Sequence, residues 1–109
     1  MNFNKYQNES RYFAIYSKRD NDIIYPLLGL LGETGELTEK IKRLESKNYI
    51  ITDETMRESI KYELGDILWY LTQLSTELNI SLEDIALSNL KKLESRKSRN
   101  VLMGKGDNR

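Results

Sequence analysis

Leucine and isoleucine recur every three or four positions through most of this 109-residue chain. That spacing gathers them on one face of an α-helix. The clearest stripe is Ile60, Leu64, Ile67, Leu68, Leu71, Leu74 and Leu78. It predicts a helix over about residues 54–79, capped by Thr52 or Asp53. A second stripe, Leu27, Leu30, Leu37, Ile41 and Leu44, predicts a helix over about 24–45, whose first turn tolerates Pro26. Ahead of it, Tyr6, Phe13, Ile15 and Tyr16 mark a helix over about 4–17, ended by a polar break at 18–22. The last helix has the strongest start signal. Ser81 and Asp84 make a capping-box-like pair, and Ile80 can pack on Ile85 as a hydrophobic staple. It is expected to stop near Lys97. Residues 46–52 read as a loop, in which 49–51 could pack as a short extended piece.

Helices joined by such short links pack antiparallel, so the expected fold is all-α, a four-helix bundle. The length suits one domain, taken as residues 1–97, followed by a basic C-terminal tail, 98–109. Neither an internal repeat nor a linker interrupts it. The chain is 39% hydrophobic and 31% charged, which fits a helical protein that completes its core by self-association. The longest apolar stretch, residues 23–31, is broken by Tyr25, Pro26 and Gly29 and is too short to span a bilayer. A cytoplasmic location with no membrane partner is expected.

The absence of Cys and His narrows the chemistry. It excludes a disulfide framework, a zinc site of nitrogen and sulfur ligands, and nucleophiles activated by histidine. Carboxylates, Lys, Tyr, hydroxyls and bound water remain. The net charge is zero but unevenly spread: residues 91–109 carry seven basic side chains against Glu94 and Asp107. An acidic body with a basic end suits a cation site closed over by phosphate-binding groups. The plainer reading is a solvated basic terminus.

Two acidic pairs stand out, Glu33-Thr-Gly-Glu36 and Glu63-Leu-Gly-Asp66. Three-residue spacing puts the acids of each pair on neighbouring positions of one helix face. At about 100° per residue, Glu33 and Glu63 lie roughly 60–70° from their apolar stripes, and Glu36 and Asp66 roughly 120–130°. Both pairs are displaced in the same sense, so two adjacent helices offer four carboxylates to one cleft. Such acids repel one another unless a cation sits among them. One such pair alone is usually a solvated face; two on adjacent helices are less easily dismissed. Gly32, Gly35 and Gly65 lie beside the acids, each costing a helix about 1 kcal/mol relative to Ala. They read either as close helix crossing or as room for ions and phosphates. On the last helix Asn89 falls on the face of Leu82, Ile85 and Leu93, with Lys92 and Arg96 toward its edge. They read as a cationic wall facing the acids, or as a satisfied Asn with two snorkelling bases. The closing segment, 104–109, ends in Arg109, which could fold over a phosphate; its composition also fits a disordered tail.

The run from Leu30 to Lys42, LLGETGELTEKIK, the later YELGDILWY of residues 62–70 and the closing GDNR resemble the MazG-like nucleotide pyrophosphohydrolases. These belong to the all-α nucleoside triphosphate pyrophosphatase superfamily. The resemblance covers roughly Tyr25 to the C-terminus, with 26 residues between Glu36 and Glu63. It implies that Glu33, Glu36, Glu63 and Asp66 bind Mg²⁺, with Mn²⁺ as a substitute. It implies that Asn89 and Lys92 lie near the substrate, and that Arg96 or Arg109 offsets phosphate charge. It implies a homodimer or homotetramer whose site is completed by a neighbouring subunit. The implied reaction is hydrolysis of the α–β phosphoanhydride bond of a nucleoside triphosphate, giving a monophosphate and pyrophosphate. Glu36 and Glu63 are the leading candidates to orient or deprotonate the water. Trp69, opposite the apolar stripe, reads as a base-stacking or interface residue.

A rival reading is a non-catalytic nucleotide- or metal-binding module, or a regulatory helical domain. A ferritin-like di-iron bundle needs Glu-x-x-His motifs and is excluded without histidine. Nucleic-acid binding by the tail lacks an accompanying aromatic set.

Overall fold

A computed structural model describes residues 1–16, 20, 22–47, 53–107 and 109. Four helices follow in order: α1 (Phe3–Arg11), α2 (Ile24–Ser46), α3 (Glu54–Glu77) and α4 (Leu82–Ser98). There is no strand among the described residues. α2, α3 and α4 lie where the apolar periodicity puts them. α1 is shorter than expected, ending at Arg11 in a turn whose N–H groups reach Glu9 and Ser10 carbonyls. The expected extended piece at 49–51 falls outside the described residues.

Local chemistry sets the helix ends. The Asn2, Asp53 and Ser81 side chains accept the N–H groups of Lys5, Met56 and Asp84 at the N-termini of α1, α3 and α4. α3 and α4 end on Asn79 and Asn100, both in the left-handed region. At each, the next residue donates back across the last turn, Ile80 to Ser75 and Val101 to Arg96. That pairing satisfies carbonyls the helix end would otherwise leave open.

α3 is the centre of the molecule. α2 packs along it on one side, and α1 and α4 on the other, with no contact between α2 and α4. The α1–α3–α4 junction is polar. Gln7 donates to Thr76 Oγ1 and the Ile80 carbonyl and accepts the Leu82 N–H at 2.7 Å. Gln73, fully buried, donates to Ser10 Oγ and accepts from Arg11. Glu77 is the second anchor. It accepts from Tyr16 Oη at 2.5 Å, from Arg11 at 2.8 Å, and from the backbone of Asp20 and Asp22. Burial opposes its ionised form, but the hydrogen bonds from Tyr16 and Arg11 outweigh that and hold Glu77 below the ordinary glutamate range. Trp69 sits here too, its indole N–H donating to the Ser10 carbonyl. Within one chain it therefore fastens α1 to α3.

The apolar stripes are only partly covered. Among the described residues the buried apolar side chains are Ala14, Pro26 and Leu82, while the polar Thr72, Gln73 and Ser75 are buried near the C-terminal end of α3. Leu64 and Leu78, expected in the core, are about half exposed, as is Leu27 on α2, and Leu28 and Leu31 are more exposed still. The molecule is correspondingly open, with a radius of gyration of 16.8 Å. A compact chain of this length comes to about 13 Å.

Candidate metal centre

The site lies on the α2–α3 hairpin. The antiparallel register reads off the side chains: Tyr25 and Gly29 meet Tyr70, and Lys40 reaches Ser59 and Glu63. Gly29 permits this approach. A Cβ there would stand 2.2 Å from the Tyr70 ring. The same register brings Glu33 opposite Glu63 and Asp66.

One carboxylate oxygen from each of Glu33, Glu36 and Glu63 lies within 4.8 Å of the others. Glu36 is exposed and the other two are half-buried. Asp66 is exposed and stands outside the trio, close enough to act on Glu33 by its charge. Gly32, Gly35 and Gly65 meet nothing within 4 Å where a Cβ would stand. Close crossing thus explains Gly29, whereas the three glycines beside the acids border open space.

The electrostatics are those of an under-neutralised cluster. Glu33 is raised above its ordinary value, first by burial, then by the charges of Glu36, Asp66 and Glu63. The same field reaches the Tyr6 and Tyr70 hydroxyls. Burial raises both, and Asp66 adds to it. Lys40 Nζ lies 3.1 Å from Glu63 Oε1. Glu63 Oε2 is buried without a hydrogen-bond partner. An all-carboxylate donor set with an orphaned oxygen and excess negative charge fits a hard divalent cation.

Residues 25–101 match the sequence profile of the MazG nucleotide pyrophosphohydrolase domain. The chain belongs to the MazG family. The Gene 37 protein of Mycobacterium phage L5 is 45% identical over 86 residues, covering 78% of this chain and 75% of the phage protein. No solved structure matches the chain.

The four basic or amide residues expected near a MazG substrate lie on α4 and after it, and α4 makes no contact with α2, which carries Glu33 and Glu36. Asn89 is exposed rather than turned inward, and lines a shallow hollow with Ile80, Ile85 and Lys92. Lys92 and the buried Arg96 both engage Asp107, at 3.1 and 3.2 Å. These cations hold Asp107 below the ordinary aspartate range, Lys92 first. Arg109 donates to the carbonyls of Val101, Leu102 and Gly106. Within one chain, then, Arg96 and Arg109 are spent on folding the segment after α4. In the single chain the anion that Lys92 and Arg96 meet is Asp107. Sequence reasoning also missed Lys40 and Arg43, which line a cleft with Glu36 and Glu63. Their signal was available: Lys40 follows Glu36 by four positions, and Arg43 by seven, on the same helix face.

Proposed function

We propose that this MazG chain is a Mg²⁺-dependent nucleoside triphosphate pyrophosphohydrolase, with Mn²⁺ able to substitute. It adds water across the α–β phosphoanhydride bond of a ribo- or deoxyribonucleoside triphosphate and releases monophosphate and pyrophosphate. The observation that carries the reading is the convergence of Glu33, Glu36 and Glu63 within 4.8 Å, with less positive charge than the cluster needs. These three, with Asp66, would hold the metal. A bound Mg²⁺ would neutralise phosphate oxygens and make a coordinated water more acidic. Glu36, open to solvent, and Glu63 are the acids placed to take the water's proton.

Asn89 and Lys92 complete the site from a second copy, because α4 does not touch α2 within one chain. A homodimer or homotetramer also accounts for the exposed leucines of α2 and for the open shape. Residues 1–97 are the working domain, and 98–109 a basic segment folded back on α4. No described helix is long and apolar enough to cross a membrane, and we place the protein in the cytoplasm.

The test is incubation with a panel of ribo- and deoxyribonucleoside triphosphates and Mg²⁺, with products resolved by ion exchange. Monophosphate and pyrophosphate from at least one nucleotide are expected. Tight nucleotide binding without turnover would replace this reading with that of a non-catalytic binding module. Diphosphate and orthophosphate would show cleavage at the wrong bond.

A further inference from the structure

Along its seam with α3, α2 changes sign. Glu33 and Glu36 are followed by Lys40 and Arg43, at offsets of seven and ten residues from Glu33, all on one helix face. Lys40 Nζ is held between Ser59 Oγ at 2.8 Å and Glu63 Oε1 at 3.1 Å, and its side chain is 29% exposed. The carboxylate it grips is one of the three that converge. A cation entering the cluster and the Lys40 ammonium therefore compete for the same oxygen. Lysine is suited to yield in such a contest, being a compact charge on a flexible stem with no fixed fork to one partner. A cleft of about 420 Å³ opens directly beside it, lined by Gly35, Glu36, Glu39, Lys40, Arg43 and Glu63. Gly35 leaves the α2 backbone bare there.

We propose that Lys40 is a tethered counter-ion. In the metal-free protein its ammonium neutralises Glu63 and keeps the repelling acids together. When a divalent cation takes Glu63, the ammonium is released into the cleft. There, with Arg43, it meets the phosphate chain of the substrate. The exchange at Glu63 rests on the metal reading above, and the phosphate contact on the nucleotide reading. Lys40 is a positioning residue for the first step and a binding residue for the second.

Mn²⁺ is titrated calorimetrically into the wild-type protein and into Lys40→Met and Lys40→Arg. Thermal unfolding is followed without metal and at saturating Mn²⁺. Inorganic triphosphate is then titrated into the Mn²⁺-loaded proteins. Lys40→Met is expected to bind Mn²⁺ roughly three- to tenfold tighter, the scale of one partly buried ion pair removed from competition. It should melt lower than wild type without metal and match it with metal. Triphosphate should bind it several-fold more weakly. Lys40→Arg, which keeps the charge on a fork that yields less readily, should bind Mn²⁺ no more tightly than wild type.

Equal or weaker Mn²⁺ binding by Lys40→Met would overturn the proposal, as would a melting deficit that saturating metal does not remove. If Lys40→Met does not fold, Ser59→Ala loosens the same ammonium. It should tighten Mn²⁺ about twofold, and no change would overturn the proposal. Failure of the wild type itself to bind Mn²⁺ would sink the metal reading and this one with it. Tighter metal binding by Lys40→Met in a protein that hydrolyses no nucleotide would support the exchange at Glu63 and remove only the substrate reading.

Discussion

At the scale of single residues, the site stores repulsion and the α1–α3 junction relieves it. Glu33 is held above its ordinary value of 4.5, so its ionisation works against the metal-free fold. This part of the stability is highest at low pH and is lost as pH rises from 4.5 through the higher folded value. Glu33→Gln should therefore raise the metal-free melting temperature, by about 2–4 °C. The same variant should lose most of its divalent-cation affinity. A melting curve beside a cation titration checks both. Glu77 has the opposite sign. Its folded value is lowered, so it contributes stability above 4.5 that is lost as pH falls through the folded value. Glu77→Ala would strand Arg11, whose side chain is only 12% exposed, without its buried partner. A loss of about 3 kcal/mol is expected in denaturant unfolding at pH 7. The sequence made the four acids visible through their spacing alone. It did not reveal Lys40 as their counter-ion or Asp107 as the partner of Lys92 and Arg96. Spacing says which face a side chain occupies, and not which of two opposite charges it will meet.

At the scale of elements, periodicity and capping located three of the four helices closely, because the signals there agree. Asp53 and Ser81 cap the helices they precede, and leucines recur at helical spacing behind them. α1 was overdrawn, since Phe13, Ile15 and Tyr16 prolong an apolar pattern that the turn after Arg11 diverts into a loop. Tyr16 stacks on Tyr25 instead. The polar end of α3 was not legible for a related reason. Thr72, Gln73 and Ser75 are buried because they hydrogen-bond to other elements or to α3 itself, and hydropathy does not score that. The glycines of the hairpin separate cleanly by surroundings. Gly29→Ala should cost about 1–3 kcal/mol, because the Tyr70 ring must move off α2. Gly32→Ala meets nothing within 4 Å and should stabilise the helix by about 0.5–1 kcal/mol. Thermal unfolding of the pair is expected to move in opposite directions.

At the scale of the whole molecule, one chain exposes 8470 Å². A compact monomer of 12.8 kDa would expose about 6,300 Å². Large hydrophobic side chains contribute to it, with Leu27, Leu28 and Leu31 exposed along α2 and Tyr62 and Leu64 along α3. Sedimentation equilibrium is expected to give a dimer or tetramer, and Leu31→Glu, 69% exposed in one chain, should shift it toward monomer. The low hydrophobic fraction hinted at self-association, but which face stays bare follows only from how the helices are arranged. The proposed hydrolase rests on the α2–α3 hairpin gathering its carboxylates around a cation. Calorimetric titration of Mg²⁺ into the wild-type protein and into Glu63→Gln addresses that dependence most directly. Saturable binding by the wild type, lost or weakened at least about tenfold in Glu63→Gln, is the predicted result. No binding by the wild type, or undiminished binding by Glu63→Gln, would contradict it.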